Sequence, residues 1–369
     1  MILEILETTS FPDTYYPLAA QLEQKSLFLS APWLDNFMQT VVKQNETVTW
    51  YGLKNNNGKP LLLMPLWQKP HAVCSPVKLT SLSNYYTTLY EPLHCISDQD
   101  QLKQAINLVT ESICTSNWDI IDLYPFNPTS DIYALLIEAF KKQKKHVTPY
   151  FMYANWFLLT ENQAFADYYA ARPGQLKNTI KRRNNKLKQK QVEYRICTHP
   201  EDVESAIQLF QQTYNVSWKI NEPYQDFIPG LAKTAANAGW LRLGLMFIDQ
   251  KVAAAQIWLT LHDTAYIYKL CQDPNFDQYS PGSLLTTHLM EYAIDVDKVT
   301  KIDFLSGDDA YKKDWMSHRK ERWGIQIANP KTIYGFQTTV INYLSSCLHK
   351  LRFNLQSIPT CRSPKLPST

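Results

Sequence analysis

The same order of secondary-structure signals occurs twice along this chain, and this repetition constrains the fold more than any other feature. Runs of β-branched and aromatic residues between turn residues indicate strands, and apolar residues three and four positions apart indicate helices. Both halves follow the order strand, helices, hairpin, strand, helix, buried strand, helix, strand. The hairpin turns lie at NNNG in the first half and at Asp249-Gln250 in the second, and the buried strands WDIIDLYPF and TKIDFLSG occupy matching places.

A duplicated plan of this kind predicts an α/β fold with two tandem domains, each with helices packed on a central mixed β-sheet. The length of 369 residues suits two domains, and we expect the boundary near residue 160, with domains at 1–160 and 161–369. Two unrelated α/β domains are the alternative, because a similar order of elements can arise by chance in chains of this class. The length of the shared order favours the duplication.

Composition indicates a packed globular protein and gives little support to a nucleic-acid partner. Hydrophobic residues make up 45% of the chain and charged residues 19%, which is enough for a sizeable core. The net charge of +3 is too small to indicate nucleic-acid binding, so a basic site has to come from local clustering. The seven cysteines are scattered with no Cys-x-x-Cys pair, so we expect a reducing compartment and no structural zinc.

Sequence signals for export, membrane insertion and several enzyme classes are missing. The N-terminal MILEILETTS is acidic where a secretory signal is basic, and the best candidate for a membrane span, TIYGFQTTVINYLSSCL, is interrupted by Gln337 and Asn342. We therefore expect a cytoplasmic protein with no transmembrane segment. The absence of Gly-x-Ser-x-Gly, His-x-x-x-His and phosphate-loop motifs disfavours hydrolase, metalloenzyme and nucleotide-hydrolysing functions, and no metal is predicted.

Three blocks in the second half carry a more specific signal. They are the basic segment RPGQLKNTIKRRNNKLKQKQ with the strand and helix that follow it, the helix start YSPGSLLTTHLMEYAI, and the strand end IDFLSGDDAYKKDW. In order and spacing, these blocks resemble the CelD/BcsL-type acetyltransferases of the GNAT superfamily over roughly residues 172–323. The resemblance implies two tandem GNAT-like domains, of which the second moves an acetyl or longer acyl group from acyl-CoA to an amine by direct attack.

The resemblance also implies a donor site after the fourth strand of the second domain. In the GNAT fold a bulge in this strand, YIYKLCQD here, faces the pantetheine arm, and the loop PNFDQYSPGS with the next helix N-terminus holds the pyrophosphate. The implied contacts to acetyl-CoA or another acyl-CoA are Leu270, Cys271, Gln272, Gln278, Ser280, Gly282 and Ser283. Of the usual loop pattern Arg/Gln-x-x-Gly-x-Gly/Ala, this sequence keeps one glycine.

The segment FLSGDDAYKKDW supplies the predicted catalytic residues. Tyr311 follows the fifth strand, where many GNAT enzymes place a tyrosine that protonates the leaving thiolate. Lys312 is predicted to support the leaving group or the oxyanion. Asp308 and Asp303 are the candidate general bases, and Asp308 or Asp309 is expected to cap the short helix that follows.

Residues 172–190 are predicted to form an amphipathic basic helix without a single acidic side chain between Leu176 and Gln191. A solvated charged face is the simplest interpretation of such a run. Alternatively, Arg182 and Arg183 contact a substrate, either the phosphates of CoA or the acidic surface of an acyl carrier protein. Under other functions the same helix would hold tRNA, another nucleic acid or anionic lipid.

We therefore predict an N-acyltransferase whose acceptor is an amine on a small molecule, such as an amino sugar or a polysaccharide precursor, bound between the two domains. Trp218 is predicted to line that acceptor cleft or the core. Two alternatives stay open. The related FemABX peptidyltransferases also pair two GNAT-like domains but take an aminoacyl-tRNA as donor, and a catalytically inert GNAT-like protein would bind a ligand without turnover.

Overall fold

The computed structural model describes residues 1–356, with side chains described to residue 345. Its strands are β1 (Ile2–Glu7), β2 (Thr47–Lys54), β3 (Pro60–Gln68), β4 (Lys78–Ser81), β5 (Leu93–His94), β6 (Ile120–Phe126), β7 (His146–Leu159), β8 (Val192–Cys197), β9 (Leu241–Ile248), β10 (Lys251–Leu261), β11 (Thr264–Gln272), β12 (Lys301–Ser306) and β13 (His318–Ala328). Its α-helices are α1 (Tyr16–Leu22), α2 (Ala31–Thr40), α3 (Gln99–Thr115), α4 (Asp131–Lys142), α5 (Phe165–Ala170), α6 (Gly174–Lys186), α7 (Val203–Val216), α8 (Phe227–Asn237), α9 (Pro281–Glu291), α10 (Lys312–Trp315) and α11 (Ile333–Gln356).

The strands form one mixed sheet where the sequence predicted two. The order across it is β1-β2-β3-β4-β6-β13-β7-β12-β11-β10-β9-β8, and β5 pairs with β3 beside this path. Two pairs are parallel, β4 with β6 and β11 with β12, and the other pairs are antiparallel. Helices cover this sheet, which confirms the predicted α/β class with mixed strands.

The two halves are joined because each one gives its last strand to the other. Strand β7, which ends the first half, lies between β12 and β13, while β13 lies between β6 and β7. The β7–β13 pairing runs over the whole length of β13, from His318 opposite Phe157 to Ala328 opposite His146. The boundary proposed near residue 160 therefore separates the halves in sequence, whereas the hydrogen-bonded sheet continues across both.

Helix α8 was not predicted, because Pro229 and Gly230 interrupt its pattern. Pro229 falls in the first turn, where the missing N–H is tolerated. Gly230 allows close contact with α2, since a Cβ at this position would lie 2.3 Å from the side-chain oxygen of Asn36. The Asn36 side-chain amide in turn donates to the Phe227 carbonyl at 3.2 Å, so α8 is fixed to a helix of the first half.

After the first hairpin, the repeated order predicts a strand in the stretch VKLTSLSNYYTTLY, and this prediction is wrong for most of its length, because only Lys78–Ser81 pair as β4. The residues that follow cross to the second half. The Tyr86 ring stacks on Phe227 with 3.9 Å between the ring centroids, and the Tyr86 carbonyl accepts the Tyr268 hydroxyl at 3.0 Å. Contacts with the other half thus replace sheet pairing for this segment.

The described residues bear on what a membrane-spanning helix, a metal site or a disulfide requires. No helix within residues 1–356 has both the length and the apolarity needed to cross a bilayer. In the same range, no three His, Cys, Asp or Glu side chains come together as a metal site. The thiols described as free are Cys74, Cys95, Cys114, Cys197 and Cys271. The remaining two, Cys347 and Cys361, lie outside the described side chains.

Candidate active site

A cleft opens where β11 and β12 separate. The two strands are paired in parallel from Thr264 opposite Lys301 to Tyr266 opposite Asp303, and no further pairs follow. A cavity of about 260 Å³ begins beyond this point. Its walls come from β11, from the end of β12 and the segment after it, from α7 and the segment that follows α7, and from the first half. They comprise Tyr85, Tyr86, Thr88, Tyr214, Lys219, Ile267, Tyr268, Lys269, Leu270, Phe304, Leu305, Ser306, Asp309, Tyr311 and Lys312.

Strand β11 carries a bulge at the cavity. Its pairing with β10 shifts so that Lys269 lies opposite Ile257 and Ile267 lies opposite Trp258, which leaves Tyr268 as the extra residue. A bulge re-aims the backbone and interrupts the ladder of hydrogen bonds. The bulge lies in the stretch Ile267 to Leu270, which lines the cavity at the place where the resemblance predicted the acyl arm of the donor.

Strand β12 carries a second irregularity. Asp303 lies opposite Phe157 of β7 whereas Ser306 lies opposite Asn155, and Leu305 between them has a left-handed backbone with φ of 57°. A left-handed conformation costs a non-glycine residue about 1–3 kcal/mol and persists where the surroundings impose it. The distorted residues of β12, Phe304 to Ser306, are the ones by which this strand lines the cavity.

Asn155 and Asp303 impose this distortion. The buried Asn155 amide donates to the Asp303 carboxylate at 2.7 Å and to the Leu305 carbonyl at 2.6 Å. The Leu305 N–H donates to the same carboxylate at 2.9 Å. Because Asn155 belongs to β7, a residue of the first half shapes the cavity of the second.

Asp303 does not line the cavity and is fully engaged by protein groups. Its carboxylate lies 2.8 Å from the Lys320 ammonium and 3.6 Å from that of Lys301. Burial alone would raise the pKa of Asp303, but the charges of Lys320 and Lys301 outweigh burial and hold the pKa well below its ordinary value. Such a carboxylate is a weak base, so the structure gives no support to Asp303 as the group that accepts the amine proton.

The Lys312 side chain is buried under the strand end. Its ammonium lies within hydrogen-bond distance of the carbonyls of Phe304, Ser306 and Gly307, and 3.4 Å from the Asp309 carboxylate. Burial lowers the pKa of Lys312, and the Asp309 charge opposes this. Lys312 lines the cavity, but its donors are shared among backbone carbonyls that fix the loop, so its support of the leaving group or the oxyanion stays a prediction.

Tyr311 is the predicted catalytic residue with a free polar atom at the cavity. It is 45% exposed at the cavity edge, and its ring meets Phe304 edge-on with 5.8 Å between the centroids. Its hydroxyl has no hydrogen-bond partner in the described part of the chain. Desolvation, followed by the nearby Asp309 charge, raises the pKa of Tyr311 to about 12, so the hydroxyl keeps its proton at neutral pH.

The two aspartates after the strand end do not have the predicted capping role. Residue Tyr311 occupies the N-cap position of α10, and no side chain caps this helix. The Asp308 carboxylate instead accepts the Trp156 indole N–H at 2.6 Å and pairs with Arg319 at 3.0 Å, outside the cavity. Asp309 lines the cavity and pairs with Lys312. Asp308 as general base therefore stays a prediction.

The predicted pyrophosphate loop is closed by the protein's own groups. The Gln272 side-chain oxygen accepts the Gly282 N–H at 3.0 Å, at the first turn of α9. The Ser283 and Leu284 N–H groups both donate to the Ser280 carbonyl. Phosphate oxygens can bind at Gly282 only when the Gln272 side chain moves away.

The other predicted donor and substrate residues are divided between several places. Leu270 lines the cavity, whereas the buried Cys271 thiol points to the Ala255 carbonyl at 3.5 Å on the opposite face. Arg183 donates to the Gln278 carbonyl and so fixes α6 to the loop. The remaining pair, Arg182 and Trp218, is solvent-exposed outside the cavity wall, with Trp218 58% exposed.

Sequence reasoning missed a partly buried charge cluster at one end of the cavity. The Glu222 carboxylate accepts the hydroxyls of Tyr85, Tyr86 and Tyr214 and pairs with Lys269, with 2.6 Å for each contact. Burial would raise the pKa of Glu222, but the Lys269 and tyrosine hydrogen bonds lower it to about 2. The cluster joins the two halves, and residues this far apart in sequence form no local pattern.

Comparison with known proteins agrees with this geometry. The model of the family described as Acetyltransferase (GNAT) domain matches residues 174–313, which include β11, α9, β12 and Tyr311. No curated protein sequence matches the chain. The match covers the part of the second half that contains β11, β12 and Tyr311, whereas Tyr85, Tyr86 and Thr88 of the cavity wall lie outside it.

Solved structures extend the likeness to the whole fold. The chain is similar to the crystal structure of FemX, with a TM-score of 0.60 and 10% identity over 90% of this chain and 99% of that one. It is also similar to L-PGS from Bacillus licheniformis, with a TM-score of 0.53 and 9% identity over 91% and 98%. A third similar structure is the C-terminal domain of a putative lysylphosphatidylglycerol synthetase from Agrobacterium fabrum. Its TM-score is 0.53 and its identity is 8% over 89% of this chain and 95% of that one. At these identities the likeness shows the fold alone.

Proposed function

We propose that the protein is an acyltransferase that moves an acyl group from an activated carrier to an amine in the β11–β12 cleft. The observation that carries the proposal is the Tyr311 hydroxyl, which keeps its proton and has no partner among the described residues, at a cavity formed by two bulged strands. The cavity has walls from both halves, as expected for an acceptor site at a domain interface. A matching GNAT domain over residues 174–313 supports the assignment.

The chemistry follows from the position of Tyr311. The amine nitrogen attacks the acyl carbonyl, an N–C bond forms, and the bond from the carbonyl carbon to the carrier breaks. Tyr311 gives its proton to the departing atom of the carrier, and the proton lost by the amine restores the tyrosine, so protons balance. Backbone N–H groups at the Tyr268 bulge are the donors available to the developing oxyanion.

Acyl-CoA is our first candidate donor, with an amino sugar or polysaccharide precursor as acceptor and an acyl carrier protein as a further possible donor. The CelD/BcsL-type motifs and the matching acetyltransferase domain support it. Calorimetric titration with acetyl-CoA and longer acyl-CoAs tests this donor. We expect binding by at least one thioester, and absence of heat with every member of the panel would contradict it.

Replacing Tyr311 tests the catalytic step. Tyr311→Phe removes only the hydroxyl, so we expect kcat to fall about 10²–10⁴-fold while thioester affinity and the free energy of unfolding stay unchanged. Mass-spectrometric detection of the acylated amine gives kcat. Tyr343→Phe, at an exposed tyrosine of α11 outside the cavity wall, is the matched control. Equal turnover in wild type and Tyr311→Phe would remove Tyr311 from the mechanism.

An aminoacyl-tRNA is the second candidate donor, and one observation favours it. The Gly282 N–H, where CoA phosphates are expected, is taken by Gln272. Gln272→Ala frees this N–H, so affinity for acyl-CoA should rise if CoA is the donor. If tRNA is the donor, its affinity should fall steeply with salt and be insensitive to Gln272→Ala. Binding of either donor without product would indicate the inert alternative.

A further inference from the structure

We propose that the cavity binds an anionic group of the acceptor, a carboxylate or a phosphate, at Lys219. Identifying the bound molecule as the acceptor rests on the proposed function, whereas the charge of the site does not. Lys219 lies on the segment between α7 and α8 and lines both the main cavity and the adjoining pocket beside Trp218 and Glu222.

Three lysines line the main cavity, and two of them are neutralised by the protein. Lys269 pairs with Glu222 at 2.6 Å, and Lys312 pairs with Asp309 at 3.4 Å in addition to its backbone carbonyls. Lys219 has no carboxylate within 4.0 Å among the residues that the structure describes. The Lys219 ammonium lies 5.2 Å from the centroid of the Trp218 ring. The cavity therefore keeps one uncompensated positive charge.

The hydroxyl groups around the cavity also favour a ligand that is rich in hydrogen-bond acceptors. Tyr85, Tyr86 and Tyr214 use their O–H groups on Glu222. The Ser306 hydroxyl has no partner in the described part of the chain and remains available, whereas the Tyr311 hydroxyl is assigned to the leaving group of the donor. An ammonium with a free hydroxyl donor matches the oxygens of a carboxylate or phosphate, and hydrogen bonds to a charged group are about twice as strong as neutral ones.

The position of Lys219 assigns this anion to the acceptor side. The main cavity has no wall residue from the predicted pyrophosphate loop, 273–283. Lys219 instead shares its pocket with Tyr85 of the first half and with Glu222. The ammonium is thus on the side where the two halves meet, away from the helix end at which donor phosphates would bind.

Lys219 also interacts electrostatically with the other two lysines of the cavity. Its charge contributes to the lowered pKa of both Lys269 and Lys312, after burial as the larger cause in each case. Lys219 is repelled by Lys269 and Lys312, and Glu222 and Asp309 offset this repulsion only in part, so the free energy of the empty site is raised. A bound anion relieves this repulsion, since Coulomb interactions between such groups are stronger near protein than in bulk water.

Calorimetry with sodium phosphate and sodium acetate at constant ionic strength, with chloride as the reference anion, tests the proposal without any acyl donor. We expect phosphate or acetate to bind wild type, Lys219→Gln to weaken that affinity at least tenfold, and Lys219→Arg to restore most of it. Lys313→Gln, at an exposed lysine outside the cavity wall, is the matched control and should bind as wild type does.

The two anions separate the sources of the charge. Preference for phosphate indicates a phosphorylated acceptor, and preference for acetate indicates a carboxylate. The proposal is overturned if neither anion binds more tightly than chloride, or if Lys219→Gln and Lys313→Gln weaken binding equally. Either result would leave acyl transfer at Tyr311 untouched, because turnover is measured separately.

Discussion

The two parallel strand pairs of the sheet begin alike and end differently. In the first half, Lys78 to Thr80 of β4 pair with Ile120 to Asp122 of β6, just as β11 pairs with β12 in the second half. Beyond these pairs the first half stays closed, since the Ser81 and Ser83 hydroxyls each donate to the Tyr124 carbonyl at 2.6 Å. The second half opens into the cavity. Two small buried hydroxyls are thus enough to seal a cleft that the same topology otherwise leaves open.

The carboxylates at matching positions show the same division of roles. Asp122 lies opposite Thr80 and accepts the Tyr150 hydroxyl at 2.6 Å, and burial raises its pKa. Asp303 lies opposite Tyr266 and is charged between two lysines. The first half therefore keeps a poorly solvated acid with one neutral partner, whereas the second half uses a fixed negative charge to hold a distorted strand.

The N-termini of helices α3 and α9 differ in their acidic residues, and so in how they would receive an anion. Helix α3 of the first half begins at the cap Asp98, whose side chain accepts the Gln101 N–H at 2.8 Å, and Asp100 follows in the first turn. Helix α9 begins with Pro281, Gly282 and Ser283 and has no acidic residue in its first turn. A phosphate would be repelled at α3 and tolerated at α9.

The largest contrast in stability is expected from the matching aspartates. Asp303→Asn removes the buried member of the pair and leaves the partly buried Lys320 without a carboxylate, so we expect a loss of about 3–5 kcal/mol in the free energy of unfolding. Asp122→Asn keeps an acceptor for Tyr150 and removes a buried charge, so the change should stay within about 1 kcal/mol. Urea unfolding at pH 7 measures both. Equal losses would mean that the two carboxylates do the same work.

The pH dependence of these variants sharpens the comparison. The pKa of Asp303 is lowered by folding, so its stabilisation is present above its ordinary value near 3.8 and is lost as pH falls below it. The pKa of Asp122 is raised, so wild type loses stability as pH rises from 3.8 through the raised value. Asp122→Asn should remove that loss. Unfolding curves from pH 3 to 7 test this, and parallel profiles for both variants would contradict the assignment.

Two glycines with positive φ test whether the strand end of the second half needs glycine only for its backbone conformation or also because a Cβ would be crowded there. Gly58, in the first hairpin, has φ of +79° and nothing within 4 Å of a Cβ, so Gly58→Ala should cost about 1–2 kcal/mol. Gly307 has φ of +103°, and a Cβ would lie 3.1 Å from both the Asp309 carboxylate and the Lys312 ammonium. Gly307→Ala should cost about 2–4 kcal/mol and also weaken ligand binding. Thermal unfolding compares them, and similar losses would refute the crowding at Gly307.

A smaller effect than at Asp303 or Gly307 is expected from Ser81, which bridges the strands of the first half. Ser81→Ala removes hydrogen bonds to the backbone of Tyr124, so we expect a loss of about 1–2 kcal/mol in stability. Ligand binding and turnover in the second half should not change. Loss of turnover in a folded Ser81→Ala variant would show that the first cleft takes part in the reaction.

Part of this comparison could be read from the sequence and part could not. The repeated element order and the pairing of WDIIDLYPF with TKIDFLSG predicted the matching strands, and the motif around Tyr311 predicted one wall of the cavity. Strand exchange between the halves has no local signature, because a β7 paired within its own half would have the same residue pattern. Glu222 and its three tyrosines come together only through tertiary contacts between distant segments.

Loop chemistry explains the remaining differences. The positive φ of Leu305 is not indicated by its residue type, since leucine rarely adopts it, and it depends on Asn155 from another strand. The closing of Gly282 by Gln272 depends on a side-chain rotamer across a turn, which composition does not encode. Predicted capping by Asp308 or Asp309 failed because stronger partners, Arg319 and Lys312, engage those carboxylates.

Hydrogen exchange measured by mass spectrometry, with and without acyl donor, tests the central claim most directly, because it reports on both clefts in one experiment. With acyl-CoA or aminoacyl-tRNA bound, the account predicts slower exchange in β11, at the start of α9 and in residues 304–312. The matching strands β4 and β6 should be unchanged. Protection at β4 and β6 with none at β11, or no protection with either donor, would contradict the assignment of the β11–β12 cleft as the site of acyl transfer.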